Sequence, residues 1–215
     1  MSEAPIVVLD YGIGNLRSAE KALQHLGARA ELVTAGTRVD GAAGVVLPGV
    51  GAFGACAEAL AASGLGDAAR RAIGRGVPFL GICVGMQLLY EASEESPGAR
   101  GLGVLAGTVR RLSGPVKLPQ MQWNRLDRRA GTHATLLDGL PEHPWVYFVH
   151  GFAPEVGSTT VATCDYGGTV AAMLEAENLW GVQFHPEKSG ALGLAILANF
   201  VTVCRAHARV PAGER

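Results

Sequence analysis

Residues 78–89, PFLGICVGMQLL, decide how this chain is read. Residues 77–82 have the apolar, partly β-branched composition of a buried strand, and residues 86–90 read as the first turns of a helix. Between them, Gly81-x-Cys83-x-Gly85 has the spacing of a nucleophile elbow with cysteine in place of serine. Glycines two residues either side permit a sharp strand-to-helix reversal that lifts the side chain into a cleft. A thiol at a helix N-terminus also meets unpaired N–H groups and the positive end of the helix dipole, both of which favour thiolate. The competing reading is a cysteine packed in an α/β core.

Upstream of the elbow, strand-like runs at 6–9, 30–33 and 44–47 alternate with helical patterns near 16–26, 53–62 and 64–75. Downstream, residues 91–100 read as a polar loop. Short strand-like runs separated by turn residues then fill the chain from 101 to 184, as expected of antiparallel strands added to a parallel core. Residues 189–207 are apolar at helical spacing and read as a closing helix. The expectation is an α/β fold with a mixed, mostly parallel central sheet: one domain over 1–207, followed by a frayed tail over 208–215.

With 215 residues and 48% hydrophobic content, the chain can bury a full core. A net charge of -1 and no dense Lys/Arg cluster argue against a nucleic-acid partner. No apolar run reaches the length of a membrane span, and MSEAPIVVLD lacks a signal peptide's basic region, so a cytoplasmic protein without a membrane partner is expected. Cys56, Cys83, Cys164 and Cys204 are widely spaced, and the six histidines show no ligand spacing. Neither metal nor cofactor is expected, and three of the cysteines read as spectators.

Two further stretches bear on Cys83. PGVGAFG (48–54) satisfies G-x-G-x-x-G through Gly49, Gly51 and Gly54, a weak dinucleotide signal in a glycine-rich chain and one that falls on the third strand. If the third and fourth strands are parallel neighbours, this loop lies beside Cys83 instead. N–H groups of Val50, Gly51 and Val84 then suit an oxyanion hole. WGVQFHPEKSG (180–190) supplies a base. The residue before a proline is pushed to extended geometry, in which residues two apart share a side, so His185 and Glu187 can act together. A carboxylate fixes the imidazole tautomer, and the imidazole takes the thiol proton, giving a Cys83-His185-Glu187 triad.

GICVGMQLL, GVQFHPEKSG and the upstream PGVG together resemble the class I (triad-type) glutamine amidotransferases over nearly the whole chain. DYGIGN (10–15), GMQ after the cysteine, YFVHGF and HPEKSG resemble in particular the amidotransferase subunits of imidazole glycerol phosphate synthase. The resemblance implies a three-layer, flavodoxin-like fold and L-glutamine as substrate, with Gly49, Gln87 and Glu95 contacting it. It also implies a (β/α)8-barrel cyclase subunit as partner, met near Asn15, Trp123 and Lys188, which would use the ammonia in histidine biosynthesis. Two departures stand out: Gly151 replaces a frequent hydroxyl residue, and PQMQWN carries Gln120 and Gln122 where the subfamily has His and Gly. The amidotransferase of another synthase, a flavodoxin-like cysteine peptidase or deglycase, a dinucleotide-binding oxidoreductase using GVGAFG and a non-catalytic regulatory subunit stand as alternatives.

Overall fold

A computed structural model describes residues 4–209. The tail beyond Arg209 lies outside the described residues, and residues 208 and 209, expected to fray, belong to the last helix. In chain order the first half comprises β1 (Ile6–Leu9), α1 (Leu16–His25), β2 (Ala30–Val33), β3 (Gly44–Gly49), α2 (Phe53–Ala62), α3 (Leu65–Gly74), β4 (Phe79–Cys83) and α4 (Val84–Gln87). The second half adds β5 (Tyr90–Ser93), β6 (Leu105–Arg111), β7 (Gln120–Arg125), β8 (Asp127–Arg128), β9 (Trp145–His150), β10 (Phe152–Pro154), β11 (Thr160–Asp165), β12 (Thr169–Ala176), β13 (Leu179–Val182) and α5 (Gly190–Arg209).

An eight-stranded sheet runs in the order β2-β1-β3-β4-β13-β12-β11-β8. Its first five strands are parallel, and β12, β11 and β8 extend it antiparallel, so the sheet is mixed and mostly parallel. Strands buried on both faces must be apolar throughout, and β1, the core of β3 and β4 are. The β1-to-β2 crossover moves one way along the sheet and the β3-to-β4 crossover the other. Right-handed connections therefore place α1 on one face and α2 with α3 on the opposite face, giving three layers. α5 packs on the α1 side.

α5 corrects one expectation. It has 20 residues and is apolar enough, by length and composition, to cross a bilayer. Its buried residues Gly193, Ile196, Leu197, Phe200, Val201 and Cys204 fall at the i, i+3, i+4 spacing of a single stripe, the pattern of a helix laid on a core.

The segment after Cys83 also differs from the sequence reading. α4 is one turn long, and Tyr90 opens a strand instead of continuing a helix. The reason is tertiary: N–H groups of Leu102, Val104 and Leu105 take the carbonyls of Leu88 and Leu89 at 2.6–3.0 Å, where a longer helix would have used them. Part of the expected polar loop at 91–100 thereby becomes β5. Beside the main sheet stand a small sheet, β10-β6-β5, and a two-stranded ribbon, β7-β9.

The parallel strands end at one edge. The loops after β1, β3, β4 and β13 meet there, where the chain order reverses between β1 and β3, the usual place for a ligand crevice in such sheets.

Candidate active site

Cys83 is the last residue of β4 and has φ 55° and ψ -113°, a region that non-glycine residues rarely enter. Its flanking glycines are required by close approach. A Cβ on Gly81 would come within 2.8 Å of Met86 backbone atoms, and one on Gly85 would land on the Leu47 carbonyl. The elbow therefore packs backbone to backbone against β3, in the register Gly49 to Cys83. Because α4 is a single turn, the long helix dipole expected behind the thiol is absent.

His185 is 1% exposed and Glu187 nearly as buried, with 2.8 Å between Nδ1 and Oε1. The geometry that joins them differs from the expected extended pair. His185 is extended (φ -103°, ψ 96°), but residues 186–188 form a 3-10 turn that swings Glu187 back beneath the ring. Burial opposes charge on the imidazole, but contacts with Cys83 and Glu187 outweigh it and lift the pKa from 6.5 to about 9. Burial likewise opposes charge on Glu187, and hydrogen bonds from His185 and Asn15 still hold its carboxyl below the usual range. Nε2 of His185 is buried without a closed hydrogen bond, free to meet the thiol of Cys83.

A cavity of about 400 Å³ opens over this group, lined among others by Asn15, Val50, Gly51, Cys83, Val84, Gln87, Glu95, His150, Gly151, His185 and Lys188. The sequence-expected residues thus converge, with three qualifications. Gly49 does not line the cavity; a Cβ there would sit 2.8 Å from Gly85 N and 2.9 Å from the Tyr11 hydroxyl, so its lack of a side chain serves packing. Asn15, expected at a partner surface, donates from Nδ2 to Glu187 Oε1 at 3.1 Å and helps orient it. Trp123 lies outside the cavity on β7, 49% exposed, against Tyr147.

Glu95 faces the cavity with Oε2 accepting the Phe53 N–H at 2.7 Å, at the start of α2. A carboxylate therefore occupies the helix end where a dinucleotide's pyrophosphate would bind. The third glycine of the fingerprint serves packing, since a Cβ on Gly54 would collide with Ser96. The glycine pattern at 49–54 is thus not a dinucleotide cradle. Among the described residues, no group of three His, Cys, Asp or Glu side chains is placed to hold a metal.

The sequence reading missed two residues. Gln183 is fully buried; its Nε2 lies 3.7 Å from Cys83 Sγ and its Oε1 accepts from Gln87 Nε2 at 3.1 Å. It stands two residues before His185, in the segment just past β13, so period-two alternation could have found it. Ser189 donates to the His185 carbonyl at 2.6 Å and accepts from Tyr147 N at 3.0 Å, tying the 3-10 turn to β9. No local pattern signals that contact.

Residues 7–204 match the family model for class-I glutamine amidotransferases. Solved structures titled "Crystal structure of glutamine amidotransferase" and "Structure of PurLQS from Thermotoga maritima" share the fold, with TM-scores of 0.73 and 0.71 at 20% identity. The first covers 93% of this chain and 98% of its own, the second 94% and 99%. The chain belongs to the class-I glutamine amidotransferase family and is an enzyme of that class. Within the family its likeness is to imidazole glycerol phosphate synthase subunit HisH. It is 43% identical to that subunit of Moorella thermoacetica over 203 residues, covering 94% of this chain and 96% of the relative. It is 46% identical to that of Symbiobacterium thermophilum over 199 residues, covering 92% and 93%.

Proposed function

We propose that this chain is the glutaminase subunit of an imidazole glycerol phosphate synthase, acting in histidine biosynthesis in the cytoplasm as one domain over residues 1–207. The observation that carries the reading is the buried Cys83, His185 and Glu187 cluster at the floor of the cavity. His185 takes the thiol proton, and Cys83 Sγ attacks the carboxamide carbon of L-glutamine. The C–S bond forms, and negative charge moves to the carboxamide oxygen, facing N–H groups of Val84, Val50 and Gly51. Collapse breaks the C–N bond as the imidazolium delivers its proton to the departing ammonia. Water, deprotonated by the same imidazole, then cleaves the thioester to glutamate and restores the thiol. Gln87 and Glu95 line the cavity and are assigned to substrate amide and ammonium recognition.

The ammonia is proposed to pass to a (β/α)8-barrel cyclase subunit, which makes imidazole glycerol phosphate and the aminoimidazole carboxamide ribotide AICAR. Lys188 and Asn15 at the cavity rim, with the exposed Met121, Trp123 and Trp145 of the β7-β9 ribbon, supply a docking face of the kind that aromatic anchors provide. Glutamate release from L-glutamine, by the chain alone and with the cyclase and its phosphorylated nucleotide substrate, tests the reading. Strong release is expected only in the complex and is abolished by Cys83→Ala. Retained activity in Cys83→Ala would falsify the triad. Peptide cleavage without glutaminase activity would favour a peptidase instead.

A further inference from the structure

Two side chains beneath the cavity grip the loop that carries the proposed oxyanion donors. Tyr11, 6% exposed just past β1, donates its hydroxyl to the Pro48 carbonyl at 2.7 Å. Cys56, buried on α2, donates from Sγ to the Val50 carbonyl at 3.2 Å. Pro48 and Val50 contribute the carbonyls of the peptides that flank the Gly49–Val50 amide. Peptide units are rigid planes, so the bond to the Val50 carbonyl also fixes the Gly51 N–H that shares its plane, and the bond to the Pro48 carbonyl fixes the Gly49 Cα from which the loop departs. The Val50 carbonyl is held toward Cys56, and in a trans peptide the Gly51 N–H therefore points away from Cys56. Tyr11 also fills the space beside the Gly49 Cα, where a side chain would otherwise lie.

We propose that Tyr11 and Cys56 are positioning residues that clamp the Pro48–Gly51 loop and set its amides for the tetrahedral intermediate formed on Cys83. The proposal rests on the glutaminase reading above. Neither residue touches the reacting atoms. Burial raises the pKa of both groups, which keeps them protonated and therefore able to donate. Cys56, a spectator by sequence, thus acquires a task that a core alanine could not perform.

The test uses Tyr11→Phe, which removes one oxygen, Cys56→Ala and Cys56→Ser, each assayed in the complex with the cyclase subunit. Glutaminase kcat and KM are measured, together with the affinity for glutamate γ-semialdehyde, whose aldehyde adds to Cys83 as a tetrahedral hemithioacetal. Loss of a direct oxyanion donor costs about 10²–10³-fold in kcat, so loosening its support is expected to cost about tenfold in Tyr11→Phe and Cys56→Ala. KM stays within about twofold, and the aldehyde weakens in step with kcat because both report the oxyanion contacts. Cys56→Ser, which keeps a donor, recovers most of the loss. Unchanged kcat in Tyr11→Phe and Cys56→Ala, or a fall in kcat with no change in aldehyde affinity, overturns the clamp alone. A wild-type complex that releases no glutamate overturns the glutaminase reading and the clamp with it.

Discussion

The elbow around Cys83 and the turn that carries His185 are held in place by different means. Cys83 is positioned by the steric demands of the two glycines that flank it by two places. Gly81 and Gly85 let the backbone press on Met86 and Leu47, and the strained φ of Cys83 follows. His185 is positioned by a hydrogen-bonded network that joins its own turn to distant parts of the chain. Its N–H donates to Tyr147, its carbonyl accepts from Ser189, and its acid is steadied by Asn15 from the first crossover. A local steric device tolerates no substitution at its two glycines. A hydrogen-bonded network can lose one member and keep its shape while its chemistry degrades. Substitutions in the two regions should therefore fail differently.

The largest effect is expected at Gly85→Ala. Its new methyl would fall on the Leu47 carbonyl in the neighbouring strand, where only backbone could move aside. Overpacking that side chains can relieve costs about 1–3 kcal/mol, and here the figure should be exceeded, with loss of soluble folded protein or a greatly lowered Tm. A variant with wild-type Tm would show that β3 and β4 can separate and that the elbow is not sterically dictated.

Glu187→Gln tests the network side of the comparison. The fold should survive, because the amide still fills the site, but kcat should fall about 10³- to 10⁴-fold, as when a triad acid loses its charge. The pH dependence carries a sign. His185 has its pKa raised in the folded state to about 9, so its contribution to stability is full below 6.5 and is lost as pH rises through about 9. The kcat of the wild-type complex should decline over the same alkaline range as the imidazolium loses its proton. Without the carboxylate the imidazole pKa falls, so the alkaline limb moves to lower pH. A limb that stays put in Glu187→Gln would separate Glu187 from His185.

Ser189→Ala removes the hydroxyl that bridges His185 and Tyr147. Buried hydrogen bonds contribute about 0.5–1.5 kcal/mol each, so a Tm loss of a few degrees and a roughly tenfold fall in kcat are expected. Differential scanning calorimetry and steady-state glutaminase assays read both. Loss of stability with full kcat would mean that Ser189 supports the ribbon and not the histidine.

What the sequence made legible follows the same division. The elbow could be read because glycine spacing is local and its steric consequence is general. The parallel core could be read because strands covered on both faces must be apolar, as 79–83 are. The convergence of His185 and Glu187 was legible as a pairing, but its geometry was not. The 3-10 turn at 186–188 depends on Ser189 and Tyr147, which lie more than forty residues apart. Likewise, α4 stops after one turn because residues 102–105 claim the carbonyls of Leu88 and Leu89 that its continuation would need, a competition invisible in the local helical pattern. Gln183 was within reach of the reasoning, since residues two apart in an extended segment share a side and Gln183 stands two places before His185. Trp123, which the resemblance implies lies near a partner, is half-exposed on β7, as a surface residue requires.

The smallest effect is expected at Gly151, where the chain departs from the hydroxyl residue frequent in proteins it resembles. Gly151 lines the cavity between His150 and Phe152, and its carbonyl accepts from Leu112 N at 2.9 Å. Like Gly81 and Gly85, it has no left-handed φ, but unlike them it leaves room for a side chain, since a Cβ built there meets nothing within 4 Å. Its backbone bond survives any side chain, and the cavity has room for one. Gly151→Ala should leave stability within about 0.5 kcal/mol and kcat within about twofold. Gly151→Ser tests the departure directly, because it adds a hydroxyl at the rim without disturbing the fold. A lower glutamine KM with unchanged kcat would mean that the hydroxyl supplies uniform binding that this chain forgoes. A large loss in Gly151→Ala would show that the rim closes on substrate more tightly than its open geometry allows. Gly151 would then join the elbow glycines as a steric requirement, set by the complex instead of by the chain alone.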